Sequence, residues 1–397
     1  MTTRACVLAV VLLLLSSLPL AWCSPSAVEM SQFPRAGVLS DPKVFPIGVW
    51  LQDPTHATRY REAGFNLYVG LWKGPTEGQL QRLKQAGMSV ICHQNSVGLT
   101  HRNGPTIVGW MHQDEPDNAQ SRGKGKGYGP PVSPQEIVDR YARMRAADPD
   151  RPVLLNLGQG VAWDRWHGRG VRTNHPEDYP QYVKGCDIAS FDIYPVTHSH
   201  EAVSGNLWYV ARGVQRLFDW TGGRKPVWNC IECTRINHPT NKPTPHQVRC
   251  EVWMSIIHGS TGLIYFVHEW KPTFRESALL GDPEMLGAVT RINRRIQTLA
   301  PVLNSATILN GVAVESSRAG VPIAAMVKHS EDAVYVLAVG MRAQPTRATF
   351  TIPGTVGARR IEVLDEARTL RSVDGVFQDT FEPWDVHLYR IVLESER

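Results

Sequence analysis

This sequence has few cysteines, no strong excess of one charge, and no long apolar run after its first two dozen residues. Lys and Arg number 42 against 37 Asp and Glu, which gives a formal charge of +5 over 397 residues. The basic residues are scattered, so a nucleic acid or an anionic membrane surface is not the expected partner. Because no later apolar stretch reaches about 20 residues, no membrane span is expected once the N-terminal segment is removed.

The cysteine pattern also excludes several classes of protein. Seven cysteines are present, and five of them follow residue 23. Cys230 and Cys233 form a C-x-x-C pair, but a second pair that would indicate zinc is missing, and no thioredoxin-like βαβ unit surrounds them. We expect these five thiols to be small buried side chains, and the pattern leaves open whether one disulfide forms among them.

Other catalytic signatures are absent. The chain has no Gly-x-Ser-x-Gly elbow and no set of histidines spaced for a metal. The Gly- and Lys-rich stretch Asp117–Pro131 lacks the Gly-Lys-Ser/Thr ending of a phosphate-binding loop, so it is interpreted as a flexible loop at the rim of a site. No metal or organic cofactor is therefore expected.

The first 23 residues have the pattern of a signal peptide. Arg4 supplies the positive start, and Val7–Leu20 is an apolar core of the usual length. Ala21 and Cys23 are small residues at the expected cleavage site before position 24. Cys23 also allows a lipoprotein interpretation, which the bulky residue before it disfavours. The sequence therefore predicts a secreted or periplasmic protein.

Residues 40–302 alternate between short apolar runs and amphipathic stretches, which is typical of βα units around a parallel sheet. Eight strand candidates can be counted: Pro46–Trp50, Asn66–Gly70, Ser89–His93, Ile107–His112, Val153–Leu157, Ile188–Ile193, Val227–Ile231 and Leu263–Val267. Helices are expected between them, and eight strands predict a (β/α)8 TIM barrel. Residues 303–397 contain short β-rich segments without a helical period, which predicts a small C-terminal antiparallel β-sandwich.

The active site of a TIM barrel lies at the C-terminal ends of its strands, and two glutamates stand there. Glu115 follows strand four and Glu232 follows strand seven. These strands lie on roughly opposite sides of the ring, so the two carboxyl groups could face each other across a glycosidic bond. If Glu115 is the proton donor, it needs a raised pKa, which the charge on Glu232 could provide.

Further polar and aromatic residues follow the strands and are candidates for binding substrate. They are Trp50, Trp72, Asp114, Asn156, Asp192, Tyr194 and Trp270. Asp192 is better explained as a structural residue that binds loop amides. Neighbouring strand residues point to opposite faces, so we expect only one of Asp114 and Glu115 to point into the barrel.

Three of these segments resemble the clan A glycoside hydrolases, a superfamily of retaining (β/α)8 enzymes. GWMHQDEPD resembles the segment with the acid/base glutamate, KPVWNCIE the segment with the nucleophile, and SFDIYP the strand-six segment. The resemblance implies that Glu115 is the acid/base, that Glu232 is the nucleophile, that Tyr194 touches the nucleophile and that Trp270 lies under the reactive sugar. The clan usually has Asn where this chain has Asp114, so the resemblance does not identify the substrate.

The sequence thus predicts a glycoside hydrolase that cleaves O-glycosidic bonds by a retaining double displacement. The expected partner is an oligo- or polysaccharide or another glycoside, and the protein is expected to be a monomer or a small homo-oligomer. Two alternatives stay open. One is a carbohydrate-binding barrel without hydrolytic activity, and the other is a metal-dependent hydrolase that uses His112, Asp114 and Glu232. An inverting glycoside hydrolase is a variant of the main prediction.

Overall fold

The structure, a computed structural model, describes residues 30, 32–330 and 333–392, together with the backbone of residues 21–22. Ala21–Trp22 forms a two-residue strand that pairs antiparallel with Thr307–Ile308. The rest of the predicted signal peptide lies outside the described residues.

Eight parallel strands close into a barrel in the order of the chain. The strands are β1 Ile47–Trp50, β2 Leu67–Val69, β3 Ser89–His93, β4 Ile107–Met111, β5 Val153–Leu157, β6 Ile188–Phe191, β7 Val227–Glu232 and β8 Ser260–Phe266. Each corresponds to one of the eight apolar runs identified in the sequence. The predicted TIM barrel is therefore confirmed.

Alternate side chains of each strand divide between two apolar cores, as the period of a strand requires. In β7, Trp228 and Cys230 pack into the smaller core inside the barrel. Val227 and Ile231 pack into the larger core between the strands and the helices. Phe33 and Leu39, which precede β1, join the inner core, so the segment before β1 also contributes to the barrel interior.

Eight α-helices accompany the strands in the part of the chain that the structure describes. They are α1 Ala57–Glu62, α2 Glu77–Ala86, α3 Ser96–Thr100, α4 Pro134–Ala147, α5 Tyr179–Tyr182, α6 Trp208–Trp220, α7 Pro245–Ile257 and α8 Pro283–Leu303. Their ends follow local sequence signals: Ser133 caps α4 by accepting a hydrogen bond from the Glu136 amide, and Gly87 ends α2 with a φ of 66°.

Nine strands follow α8. They are β9 Thr307–Ile308, β10 Ala313–Ser316, β11 Ile323–His329, β12 Ala333–Gly340, β13 Thr346–Thr351, β14 Ala358–Val363, β15 Arg368–Val373, β16 Val376–Phe381 and β17 Val386–Val392. They pair antiparallel in the order β9-β11-β12-β17-β14-β15-β16-β13-β10. Their inward side chains, such as Phe350, Phe377 and Tyr389, form a separate apolar core, which confirms the predicted sandwich-like C-terminal domain.

The C-terminal domain packs against the barrel. Leu337 and Val339 of β12 belong to the same apolar core as Val252 and Met254 of α7, and Arg249 of α7 donates to the carbonyl of a β17 residue at 2.9 Å. Helix α7 therefore lies between β7 and the C-terminal sheet.

The five cysteines after residue 23 are all buried free thiols, as expected, and the disulfide that the sequence left open does not form in this structure. None of the helices built from the described residues combines the length and the apolar character that crossing a bilayer would require.

Candidate active site

The chain turns sharply after β4, and this turn brings two neighbouring carboxyl groups to one place. Glu115 lies four residues beyond the end of β4 and has a φ of 41°, a left-handed conformation that costs free energy for a residue with a side chain. The turn is tied to the end of β5, because the Glu115 amide donates to the Asn156 carbonyl at 3.1 Å. Asp114 and Glu115 have thus left the alternating pattern of the strand.

Asp114, Glu115 and Asp192 form the acidic cluster of this site. Asn156 Nδ2 donates to Asp114 Oδ1 at 2.9 Å, and the carboxyl groups of Glu115 and Asp192 lie within hydrogen-bonding reach of each other. Neither carboxylate can donate unless one of them is protonated. Two ionised carboxylates at this distance repel each other, so the arrangement favours a proton on one of them.

Burial and mutual repulsion raise the pKa of every member of the cluster. Burial, followed by the charge of Asp192 and then that of Asp114, holds the pKa of Glu115 well above its ordinary value. The pKa of Asp114 rises to about 6, and that of Asp192 to about 7, with burial as the main cause in both. The sequence assigned the raised pKa of Glu115 to Glu232, and this prediction is wrong, since the leading causes are burial and the two aspartates.

The cluster is surrounded by protein but open to solvent. Asp114 is exposed, while Glu115 and Asp192 are each partly exposed. Both neighbours, Asp114 and Glu115, thus reach the same solvent-filled region, which corrects the expectation that only one of them could. The positive φ of Glu115 is the physical reason, because it rotates the chain between the two side chains.

Asp117 anchors the turn from below and is fully buried. Its carboxylate accepts hydrogen bonds from the Gly158 amide at 2.8 Å and from the Tyr179 hydroxyl at 2.9 Å. Arg169, which is also buried, donates to the Asp117 carbonyl and forms an ion pair with Asp178. This satisfied network fixes the backbone on which Glu115 stands.

Tyr194 and Cys230 line the barrel interior beneath the cluster. The pKa of Tyr194 is raised by burial and then by the charge of Asp192, and Cys230 Sγ lies 3.9 Å from Asn156 Oδ1. Tyr194 is thus a neighbour of the acidic cluster. The contact that the resemblance implied, with Glu232, is not among the interactions of Glu232.

Glu232, at the end of β7, has a different environment. It is completely buried, and its two carboxylate oxygens accept hydrogen bonds from the amides of Val196 at 2.5 Å and Thr197 at 3.0 Å. Burial raises its pKa to about 7. In this structure its carboxylate is therefore engaged with the loop after β6 and is closed to a water-sized molecule.

Glu251 of α7 is the second partner of Glu232. It is also completely buried, and neither of its oxygens finds an N–H or O–H donor among the described residues. Burial raises the pKa of Glu251 well above its ordinary value, and the charge of the neighbouring Glu232 raises it further. Two ionised carboxylates would repel each other here, so the contact favours a proton on one of them.

The three residues of the metal-dependent alternative do not come together. His112 Nε2 lies 2.8 Å from the Gly185 carbonyl oxygen, and burial lowers the pKa of His112 to about 4. Glu232 is held by loop amides. Within the described ranges, no group of three or more His, Cys, Asp or Glu side chains is arranged to hold a metal ion.

The predicted aromatic residues occupy different positions. Trp72 is 67% exposed and Trp270 is 44% exposed, so both present faces at the rim of the barrel mouth. Trp270 stacks on Phe266 and His268, which fixes its orientation. Trp50 is buried in the inner core and offers no open face to a sugar.

Sequence reasoning missed Glu251 and the anchoring role of Asp117. A signal for Glu251 exists, because it stands in the apolar run CEVWMSII of α7, where a charged residue is rare unless it has a partner. Asp117 carries no comparable signal, since it lies in a polar loop. Its partners come from residues 158 and 179, which only the fold brings near.

Comparisons with known proteins identify the fold. No protein-family model matches this sequence, and no curated protein matches it. Solved structures do match. An α-amylase from Geobacillus thermoleovorans superimposes with a TM-score of 0.54 at 12% identity, over 89% of this chain and 99% of the amylase.

Two further structures agree. An α-amylase from Anoxybacillus gives a TM-score of 0.53 at 10% identity, over 90% of this chain and 100% of that one. A protein designated an α-galactosidase from Bacteroides fragilis gives 0.50 at 12% identity, over 87% and 79%. These likenesses confirm the barrel fold that the resemblance to the clan A superfamily implied. The Asp-Glu-Pro variant of that resemblance stays a prediction.

Proposed function

We propose that this chain is a glycoside hydrolase that cleaves O-glycosidic bonds at the acidic cluster, with Glu115 as general acid and base. The observation that carries the proposal is the meeting of Asp114, Glu115 and Asp192 in a solvent-open site, where burial and the two aspartates raise the pKa of Glu115. A group that keeps a proton near neutral pH is what protonation of a leaving oxygen requires. The solved structures that share the fold are named as enzymes acting on sugars, which supports the same class.

The reaction divides into two balanced steps under a retaining mechanism. Glu115 gives its proton to the glycosidic oxygen as the bond from that oxygen to the anomeric carbon breaks, and a second carboxylate bonds to the same carbon. Glu115 then takes a proton from water, and the water oxygen displaces the carboxylate. The anomeric configuration is kept, because it is inverted twice.

Two residues compete for the role of the second carboxylate. The sequence pattern favours Glu232, which was predicted to be the nucleophile of the retaining mechanism. Its carboxylate could reach a sugar only after the amides of Val196 and Thr197 release it. The geometry favours Asp114, because it is exposed and is oriented by Asn156.

A panel of aryl glycosides tests the function and both assignments. The panel includes α-glucosides, because the Geobacillus amylase was solved in complex with acarbose. The variants are E115Q, D114N and E232Q, and E62Q on the exposed face of α1 is the control. We expect E115Q to lose about a hundredfold or more in kcat on a substrate with a poor leaving group. Turnover by E115Q equal to that of the E62Q control would contradict the role of Glu115.

Rescue by azide distinguishes Asp114 from Glu232 as the nucleophile. An alanine variant of the true nucleophile leaves room for azide to attack the anomeric carbon and give the glycosyl azide of inverted configuration, whereas E115A gives the retained one. Rescue of D114A supports Asp114, and rescue of E232A supports Glu232. Glycan binding without turnover on any member of the panel would favour the alternative of a binding barrel.

The proposal includes the location of the protein outside the cytoplasm. The signal-like N-terminus supports a secreted or periplasmic protein that meets an extracellular oligo- or polysaccharide. Expression with the native N-terminus, followed by sequencing of the exported product, tests this, and cleavage after residue 23 is the expected result.

A further inference from the structure

The loop after β4 carries a positively charged hairpin beside the proposed active site. Ser121 and Tyr128 form an antiparallel bridge, and the Arg122 amide donates to the Gly127 carbonyl at 3.0 Å. Gly123, Gly125 and Gly127 have positive φ, and nothing lies within 4 Å of the position of an added Cβ. The tip of the hairpin therefore projects into solvent.

The base of the hairpin is fastened to the catalytic turn. Gln120 Nε2 donates to the carbonyl oxygen of Asn118 at 2.7 Å and to that of Glu115 at 3.3 Å. Gln113 Nε2 in turn donates to Gln120 Oε1 at 2.8 Å. The position of the hairpin relative to Glu115 is thus defined by side-chain contacts, and the hairpin belongs to the mouth of the site.

The hairpin carries only positive charge. Arg122, Lys124 and Lys126 are exposed, and none of them makes an ion pair with a described carboxylate. Residues 118–131 contain no Asp or Glu. Three cations on one short hairpin repel each other, which costs free energy unless an anion offsets the repulsion.

Other loops at the same end of the barrel add to this charge. Exposed cations follow β2, β5 and β8, at Lys73, Arg165 and Lys271. Most carboxylates of these loops are already paired, such as Asp164 with Arg216 and Glu269 with Arg275. Glu201, after β6, and Asp53, after β1, are exposed carboxylates on the same face. The rim is therefore mainly basic, whereas the floor around Glu115 is acidic.

We infer that the substrate is an anionic glycan whose carboxylate or sulfate groups lie on the sugars that flank the cleaved bond, where Arg122, Lys124 and Lys126 bind them. This inference rests on the proposed function, because it places the anionic sugars around the glycosidase site. The acidic floor repels an anionic group at the point of cleavage, and the basic rim attracts one beside it. The charge pattern thus favours substrates that carry negative charge next to the cleaved bond.

Affinity electrophoresis tests the inference without requiring turnover. The probes are dextran sulfate, polygalacturonate and unmodified dextran, at an ionic strength of about 0.05 M so that screening is modest. We expect the two polyanions to retard the wild type and dextran not to. The triple variant R122Q/K124Q/K126Q should bind the polyanions about eightfold more weakly, at about twofold for each exposed charge. Retardation by one polyanion only supports the inference and identifies the anionic group.

A matched variant controls for net charge. K43Q/K84Q/R371Q also removes three exposed cations, which lie before β1, at the end of α2 and in the C-terminal sheet, away from the mouth. Equal weakening in the two triple variants, or a wild type that no polyanion retards, would overturn the inference. Hydrolysis of a neutral aryl glycoside by the wild type is measured separately, and K43Q/K84Q/R371Q should match it, so failure of the proposed function and failure of anion binding are distinguished.

Discussion

Replacing Glu251 with glutamine should make the protein more stable at alkaline pH. Glu232 and Glu251 are both completely buried, and the pKa of Glu232 is raised from 4.5 to about 7. A carboxyl group whose pKa is raised by folding binds its proton more tightly in the folded state. Its contribution to stability is therefore complete below the unfolded pKa and is lost as the pH rises through the folded pKa.

The magnitude follows from the raised pKa. At about 1.4 kcal/mol for each unit of pKa, Glu232 accounts for about 3 kcal/mol of stability lost between about pH 4.5 and pH 7. The pKa of Glu251 is also raised, so the loss continues above that range. The E251Q substitution removes the titration of Glu251, and the new side-chain amide can donate an N–H to Glu232 once Glu232 is ionised. The variant keeps the loss of about 3 kcal/mol that belongs to Glu232 but lacks the further loss that belongs to Glu251. It should thus be more stable than the wild type at about pH 8 and little different at about pH 5.

Urea unfolding at about pH 5 and about pH 8 measures this difference. E62Q is the matched control, since Glu62 is exposed and should follow the wild type at both pH values. If the free energy of unfolding of E251Q falls between the two pH values by as much as that of the wild type, Glu251 does not titrate with a raised pKa in this pair. An alanine at the same position would leave a cavity and would not separate the two effects.

Three further predictions concern the site. If Asp114 acts as the ionised carboxylate, its pKa of about 6 gives kcat/KM an acidic limb near that pH, and D114N should abolish the limb in a pH–rate profile. D117N leaves the Tyr179 hydroxyl and the Gly158 amide competing for a weaker acceptor, and should lower the free energy of unfolding by about 2 kcal/mol; an unchanged urea midpoint would contradict the anchoring role. W270A should raise KM about tenfold through loss of the stacked rim surface, with little change in kcat, whereas W72A tests whether the rim after β2, two strands away in the closed barrel, contributes equally.

Much of the fold follows from local sequence patterns. Short apolar runs at βα spacing indicated the eight barrel strands, because alternation and run length are properties of neighbouring residues. The short strands β9, β10, β15 and β16 were not predicted individually. β15 is largely polar, with the sequence RTLRSV, and in β16 the buried position between Phe377 and Phe381 is occupied by Asp379. The alternating pattern that marks a half-buried strand is therefore weak in both.

The sequence by itself determined that Glu115 and Glu232 stand at the C-terminal ends of barrel strands, since each closely follows an apolar run. Only the tertiary structure decided which carboxyl groups meet. The positive φ of Glu115 turns Asp114 into the same region, and Asp192, which follows β6, lies beside them there. Glu232 instead meets Glu251, which lies on a helix outside the barrel. These pairings depend on loop backbone and on long-range packing, and neither is encoded in the spacing of residues along the chain.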